Sequence, residues 1–294
     1  MITRCHAKVN LRLRVFGRDD TGFHGVETIL LRTDLADTLS IEEAGEGISI
    51  TVEGEAAGEV PASPDNLCVR AADRFLAEAF AGKRTRPGLR LSLVKRIPAG
   101  SGLGGGSADA AGTLRLLSGR WPALPERNLF RIAGKIGSDV PFGLLDVPMA
   151  LGWERGRRLL PLRPPPERPG LLLSPPFSVA TLDAYEWLAA SRTDEDPGGA
   201  SILPGATRLA GWDALERLVR NDLEMPVLER HPSLANARSI LQDSGATTSM
   251  TGSGSSLFAV FEDAADRMAA LQVLIDSGFD ADAGWTTHEV RLPV

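Results

Sequence analysis

The stretch from Pro98 to Asp109 reads Pro-Ala-Gly-Ser-Gly-Leu-Gly-Gly-Gly-Ser-Ala-Asp, with five glycines in seven consecutive positions. It follows residues 89–94, whose alternating leucines are typical of a half-buried strand, and it runs directly into a predicted helix. Glycine is entropically costly, and an ordinary turn needs only one or two. Bare backbone N–H groups beside a helix N-terminus attract anions, so this loop predicts a phosphate-binding site.

Neither of the two commonest glycine-rich phosphate loops fits this stretch. Residues 100–105 satisfy the dinucleotide pattern G-x-G-x-x-G, but the preceding strand ends in Lys95 and Arg96, and no second strand with a terminal acid follows at the required distance. A Walker A loop needs Lys and then Ser or Thr after its last glycine, whereas Gly106 is followed by Ser107. The predicted helix begins at Ser107, a candidate N-cap.

Composition bounds the class of protein. The chain has 294 residues, 43% of them hydrophobic and 24% charged, which indicates an ordinary globular protein and excludes disordered and fibrous classes. Its net charge of −6 disfavours nucleic-acid binding. The N-terminus has no apolar signal segment and no stretch approaches about 18 apolar residues, so a cytoplasmic protein is expected. Cys5 and Cys68 are expected to be buried free thiols.

The first half of the chain predicts a sheet followed by helices. Residues 7–16 alternate, with Lys8 and Asn10 on the polar face of a strand. Further strands are predicted at 27–35, 37–43, 48–53, 89–94, 149–151 and 159–162, and helices at 67–80, 107–117 and 125–136. Three consecutive prolines at 164–166 indicate a stiff linker, which divides the chain into predicted domains 1–162 and 163–294.

The second half is predicted to mix strands and helices without an internal repeat. Strands are predicted at 171–174, 257–261 and about 288–292, helices at 182–190, 212–220, 234–243 and 264–277, and a polar loop at 193–205. A second glycine-rich segment, residues 249–255, precedes the strand at 257–261. His6, His231 and His288 lack the spacing of metal ligands, so no protein-bound metal is predicted.

Three segments together resemble the motifs of the GHMP kinases: Ala7 to Leu11, Pro98 to Ala108, and Met250 to Gly254. They occur in that family's usual order. The resemblance implies an α+β fold of two domains, a ribosomal-protein-S5-like N-terminal domain and a ferredoxin-like C-terminal domain. It also implies an ATP-dependent kinase for a small alcohol, with Mg²⁺. The implied ATP-binding residues are Pro98, Ala99, Gly100, Ser101, Gly102, Leu103, Gly104, Gly105, Gly106, Ser107 and Ala108.

Phosphoryl transfer needs in-line positioning, positive charge and an acceptor for the hydroxyl proton. Asp139 lies at the edge of an apolar segment, where partial burial would make it a usable base, and the resemblance points to the same residue. Lys8 would hold Asp139 ionised and offset charge in the transition state. The hydroxyl of Ser107 would meet a phosphate or Mg²⁺. The alternative is that Lys8 is a solvated lysine and Asp139 a turn residue.

Three further segments, residues 22–24, 137–142 and 221–224, resemble the branch of the family whose acceptor is a sugar alcohol carrying a cytidine diphosphate. That branch serves isoprenoid precursor synthesis. The resemblance implies stacking of the cytosine ring on aromatic side chains and a second loop that closes over the nucleotide or supports the acceptor. The implied substrate-binding residues are Asn10, Phe23, His24, Tyr185, Gly252, Ser253 and Gly254. Core packing for Phe23 and a surface position for His24 are the alternatives.

Other functions stay open at this point. A related kinase acting on homoserine or mevalonate, a non-catalytic ligand-binding relative and an RNA-binding protein are the rivals. Retention of both Lys8 and Asp139 argues against the second, and the net charge of −6 argues against the third. We expect the site in the cleft between the two predicted domains. The expected partner is a small-molecule substrate, and binding to nucleic acid or to a membrane is not expected. The chain is expected to be a monomer or a homodimer.

Overall fold

The computed structural model describes residues 1–18, 24–58, 60–154, 156, 158–192, 209 and 211–294. These residues form two compact units. The first unit comprises Met1–Ala7, Leu35–Ala99 and Gly104–Val147, and the second comprises Lys8–Asp34, Gly100–Leu103 and Pro148–Val294. Because the units interleave along the chain, they do not test the single boundary predicted after residue 162, which stays a prediction.

The first unit combines strands with four helices. Its strands are the start of β1 (Ile2–Arg18), the end of β2 (His24–Ala44), β3 (Ile48–Glu53) and β4 (Gly88–Val94). Its helices are α1 (Leu67–Ala79), α2 (Gly105–Arg120), α3 (Glu126–Ile136) and α4 (Val140–Leu145). Strand β4 pairs with β3 in parallel and with β2 antiparallel, so it lies between them.

One hydrophobic core holds this unit together. The alternating leucines of β4 at positions 89, 91 and 93 are all buried, together with Phe75 of α1 and Leu114 of α2. The side chain of Asn66 accepts a hydrogen bond from the N–H of Cys68 and so caps α1. Cys68 and Cys5 are buried free thiols, which confirms that prediction.

The second unit contains the rest of β1 and β2 and all later elements. These are β5 (Met149–Glu154), β6 (Arg158–Pro161), β7 (Arg168–Ser174), α5 (Thr181–Ser191), α6 (Trp212–Glu216), β8 (Arg220–Asn221), α7 (Glu224–Leu228), α8 (Pro232–Asp243), β9 (Thr247–Met250), β10 (Leu257–Val260), α9 (Ala264–Asp276) and β11 (Thr286–Leu292). Four strands form an antiparallel sheet in the order β11-β7-β10-β9. The predicted polar loop at 193–205 lies outside the described residues.

Strand β2 and helix α6 differ in extent from the elements predicted for these residues. Strand β2 is continuous over 21 residues, where two shorter strands are predicted with a break near Ala36. Ala36 is buried and fits the sheet without a break, and β2 pairs first with β5 and then with β4 along its length. The predicted helix at 212–220 ends at Glu216, because Arg220 pairs with Arg12 of β1 in a parallel ladder.

The helices in the described ranges include none with both the length and the apolar character needed to cross a bilayer.

Two glycines of α2 provide a matched test of the packing in the first unit. A Cβ at Gly112 would lie 2.5 Å from the Sγ of buried Cys5, whereas a Cβ at Gly119 meets nothing within 4 Å. We expect Gly112→Ala to lower the free energy of unfolding by about 1–3 kcal/mol through overpacking. Gly119→Ala should raise it by about 0.5–1 kcal/mol through helix propensity.

Urea denaturation of both variants against the wild type measures the two changes. A stabilising Gly112→Ala would contradict the close approach of α2 to β1.

Candidate active site

The glycine-rich segment leads into α2 through a residue whose backbone has a left-handed conformation. Gly104 is the N-cap of α2 with φ of 73°, a conformation that costs glycine nothing. The helix therefore begins at Gly105, and Ser107 lies within its first turn. The prediction that Ser107 caps the helix is wrong, because the left-handed Gly104 allows the helix to start two residues earlier.

Within the second unit, this segment approaches the backbone of the second glycine-rich loop. Gly102 has φ of 81°, and a Cβ there would lie 2.3 Å from the carbonyl oxygen of Thr251. Gly252 has φ of 61°, and a Cβ there would lie 3.1 Å from the carbonyl oxygen of Gly102. The N–H of Ser256 donates to the carbonyl oxygen of Ser101 at 3.1 Å. Only glycine permits so close an approach of the two loops.

Lys8 joins the first motif to the glycine-rich segment. Its side chain is buried in β1, and its Nζ donates to Asn10 Oδ1 at 2.6 Å and to the carbonyl oxygen of Gly102 at 2.8 Å. The backbone N–H of Lys8 also donates to the carbonyl oxygen of Leu103 at 3.0 Å. A Cβ added at Gly252 would lie 3.4 Å from Lys8 Nζ. Residues of all three sequence motifs therefore surround one buried ammonium group.

Asn10 is the second member of this network. Its Nδ2 donates to Thr28 Oγ1 at 2.8 Å, and its backbone N–H donates to Thr251 Oγ1 at 3.0 Å. The hydroxyl of Thr251 in turn donates to Asn10 Oδ1 at 3.2 Å. These partners hold the buried amide of Asn10 in one orientation. Its Oδ1, which accepts a hydrogen bond from Lys8 Nζ, therefore fixes the position of the Lys8 ammonium. Its direct bond to an acceptor hydroxyl stays a prediction.

Asn221 shapes the second glycine-rich loop. Its Nδ2 donates to the carbonyl oxygens of Met250 at 2.7 Å and of Gly252 at 2.9 Å. Ser253 Oγ lies 3.0 Å from Thr181 Oγ1 at the start of α5, and Gly254 has φ of 90°. The sequence marks Asn221 only through its resemblance segment. Only the structure shows that the Asn221 side chain holds the carbonyl of Gly252.

Two of the three residues predicted to bind the cytosine ring meet in the second unit. The rings of His24 and Tyr185 have centroids 5.3 Å apart and planes inclined by 37°. His24 Nδ1 lies 2.7 Å from the carbonyl oxygen of Phe16, which can only accept, so Nδ1 carries the proton. Phe23 lies outside the described residues.

In the first unit, the segment carrying Asp139 packs against the start of α2. Asp139 is half-buried at the N-terminus of α4. A Cβ at Gly137 would lie 3.5 Å from Ser107 Oγ, and one at Gly143 would lie 2.8 Å from Ala111 Cβ. This unit therefore brings the Asp139 segment beside Ser107. Lys8 belongs to the second unit, and its pairing with Asp139 stays a prediction.

A buried ionic cluster that the sequence does not reveal lies behind the start of α2. Lys95 Nζ donates to Asp37 Oδ2 and, at 2.7 Å, to Asp109 Oδ2. Burial raises the pKa of Asp109 to about 7, against the opposing effect of Lys95. Burial alone would lower the pKa of Lys95, but the two carboxylates outweigh it and raise that pKa.

Two left-handed glycines test the close approach of the loops. Gly102 and Gly47 both have φ near +80°, at 81° and 74°, but a Cβ at Gly47 meets nothing within 4 Å. Gly47→Ala should cost about 1–2 kcal/mol, which is the backbone strain alone. Gly102→Ala should cost at least about 2 kcal/mol more, because its Cβ would overlap the carbonyl oxygen of Thr251.

Chemical denaturation of both variants measures this difference. Equal losses of stability would contradict the contact between Gly102 and the loop at Thr251.

Comparison with known proteins identifies relatives over nearly the whole chain. The family models described as GHMP kinases N terminal domain and GHMP kinases C terminal match residues 66–152 and 206–274. The 4-diphosphocytidyl-2-C-methyl-D-erythritol kinase of Salinibacter ruber is 37% identical, with 91% of this chain and 92% of the relative covered. The enzyme of the same name from Deinococcus radiodurans is 36% identical, with 98% and 92% covered.

A crystal structure of 4-(cytidine 5'-diphospho)-2C-methyl-D-erythritol kinase has the same fold. It is 32% identical to this chain, with a TM-score of 0.78 and 99% of both chains covered. The match confirms the predicted two-domain α+β kinase fold. With more than 30% identity to named relatives over nearly its full length, this chain belongs to the GHMP kinase family.

Proposed function

We propose that this chain, an ATP-dependent kinase by its family, phosphorylates the 2-hydroxyl of 4-diphosphocytidyl-2-C-methyl-D-erythritol, a step of the non-mevalonate route to isoprenoid precursors. The observation that carries the proposal is the buried ammonium of Lys8, which is bonded to the first and second motifs and lies beside Gly252 of the third. The named relatives support the choice of acceptor.

The glycine-rich segment and the start of α2 supply the phosphate side. The backbone N–H groups of the first turn of α2 have no intrahelical partner and carry the positive end of the helix dipole, which suits an anionic phosphate chain. Ser107 lies in that turn with a hydroxyl oxygen, the type of ligand that Mg²⁺ prefers. We therefore assign ATP phosphates to this turn and Mg²⁺ to the vicinity of Ser107, where it would neutralise phosphate charge.

Asp139 and Lys8 are assigned to the transfer itself. The acceptor oxygen attacks the γ-phosphorus of ATP while the bond to the ADP oxygen breaks, and the hydroxyl proton passes to the Asp139 carboxylate. The Lys8 ammonium favours the ionised carboxylate and offsets the negative charge of the transition state. Its burial and its bond to Asn10 hold that charge in one place before the substrate arrives.

His24 and Tyr185 are assigned to the cytosine ring. A neutral base stacks well on aromatic faces, and the bond from His24 Nδ1 to the backbone fixes the orientation of the His24 ring beside Tyr185. Phe23, Ser253 and Gly254 complete the proposed acceptor residues.

The assignment of Asp139, the N-cap residue of α4, is tested by comparison with Asp146, the C-cap residue of the same helix. Asp139→Asn should lower kcat by about 10²–10⁴-fold, because the amide accepts no proton. Asp146→Asn is the matched control at the C-terminus of the same helix, where Asp146 has φ of 56° and asparagine is tolerated, so kcat should not change.

The assay follows ADP release from Mg-ATP with the cytidyl acceptor, mevalonate or homoserine. We expect turnover with the cytidyl acceptor alone. Turnover of mevalonate or homoserine instead would contradict the proposed acceptor. Full activity of Asp139→Asn would contradict the assignment of Asp139 as the general base.

The assignment of Tyr185 is tested through the acceptor's KM. Tyr185→Ala should raise this KM by about 5–150-fold, since stacking of a base on an aromatic ring contributes about 1–3 kcal/mol. Tyr185→Phe keeps the ring and should stay near the wild type. Steady-state kinetics should show an unchanged KM for ATP in both variants. Equal acceptor KM values for the alanine and phenylalanine variants would remove Tyr185 from the pocket.

A further inference from the structure

The first unit contains a buried ionic cluster of Lys95, Asp37 and Asp109, none of which is assigned above to phosphoryl transfer or to substrate binding. Lys95 at the end of β4 is only 2% exposed, and Asp37 of β2 and Asp109 of α2 are buried as well. Lys95 Nζ donates to one oxygen of each carboxylate, at 2.7 Å for Asp109. One ammonium group therefore ties two strands to the first turns of α2.

The same cluster holds the backbone that leads into the glycine-rich segment. Asp37 Oδ1 accepts the N–H of Arg96 at 2.6 Å and that of Ile97 at 2.9 Å. The segment between β4 and α2 thus begins at residues bonded to Asp37 and ends in a helix bonded to Lys95 through Asp109. Both ends of the proposed phosphate loop depend on this one cluster.

The ammonium also lies directly behind the first residue of α2. A Cβ at Gly105 would lie 3.2 Å from Lys95 Nζ and 2.9 Å from Ile97 Cγ2. Glycine at this position therefore lets the helix start reach the lysine. Replacing a glycine here with any larger residue would push the helix start and the lysine apart.

The cluster is poorly explained by stability alone. Asp109 Oδ1 has no hydrogen-bond partner among the described residues, although the atom is buried. Buried ion clusters often contribute no more than apolar residues of the same volume, and an unsatisfied buried oxygen costs free energy. A cluster that stabilises little but anchors both ends of a ligand loop indicates a role in shaping that loop.

We propose that Lys95 is a positioning residue of the nucleotide site: held between Asp37 and Asp109, it fixes the two ends of the glycine-rich segment and so preorganises the N-terminus of α2 for the phosphates of ATP. The proposal rests on the ATP-dependent function proposed above. Preorganisation of a binding loop appears in ligand affinity, because the free protein already has the bound conformation.

Two substitutions at Asp109 separate the anchoring bond from the charge. Asp109→Asn and Asp109→Ala remove the same carboxylate charge and leave the Lys95–Asp37 pair balanced, but only asparagine keeps an oxygen that accepts from Lys95. We expect the KM and Kd for Mg-ATP to be about tenfold higher in Asp109→Ala than in Asp109→Asn. The acceptor's KM and the kcat at saturating ATP should be the same in both, which a general loss of stability would not produce.

Equal ATP affinity of the two variants would overturn the proposal. If Asp109→Ala does not fold, the double variant Lys95→Met, Asp109→Leu replaces the pair with apolar side chains and keeps the cluster's net charge. This double variant should also bind ATP about tenfold more weakly than the wild type, and wild-type affinity would overturn the proposal.

Calorimetric titration with Mg-ATP keeps the two proposals distinguishable. A wild type that binds ATP and phosphorylates none of the acceptors would count against the proposed function only. The ratio of ATP affinities between the alanine and asparagine variants would still decide the role of Lys95.

Discussion

The approach of Gly102 to the loop at Thr251 is the contact on which the second unit's part of the site depends. Lys8 of β1 bonds to the backbone carbonyls of Gly102 and Leu103, and the N–H of Asn10 bonds to the hydroxyl of Thr251 on the facing loop. Any Cβ at Gly102 would occupy the space of the Thr251 carbonyl, so the hydrogen-bond network exists only because that position is glycine. The glycines of the motif thus act through sterics as well as through flexibility.

Buried polar groups supply the rigidity that glycine removes. A segment with three left-handed glycines, at positions 100, 102 and 104, has many alternative conformations when it is unanchored. In the second unit, Lys8 binds the carbonyl of Gly102, and in the first, Asp37 binds the N–H groups that precede the segment. Each unit therefore contributes a buried charged residue whose partners lie far away in sequence.

The sequence predicts local features of the site better than its long-range contacts. The alternation in residues 7–16 places Lys8 and Asn10 on one face of a strand, and the leucines of β4 are buried as predicted. It cannot reveal that Thr28 fixes Asn10, or that Asp37 pairs with Lys95 across 58 residues, because no local period marks such partners. The continuity of β2 depends on its pairing with other strands, and the helix start at Gly105 depends on the left-handed conformation of Gly104, and neither is visible in the hydrophobic pattern.

Lys8 and Lys95 are both buried, but they differ in their hydrogen-bond partners. Lys8 is bonded to the side-chain amide of Asn10 and to the backbone carbonyl of Gly102, and these two bonds to neutral groups fix the position of its ammonium group. Lys95 is bonded to two carboxylates, which neutralise it within the first unit. A neutralised ammonium has little field to offer a phosphate but forms short, charge-assisted hydrogen bonds, which suit an anchor. The partners, more than the residue type, therefore separate the lysine proposed for transfer from the lysine proposed for positioning.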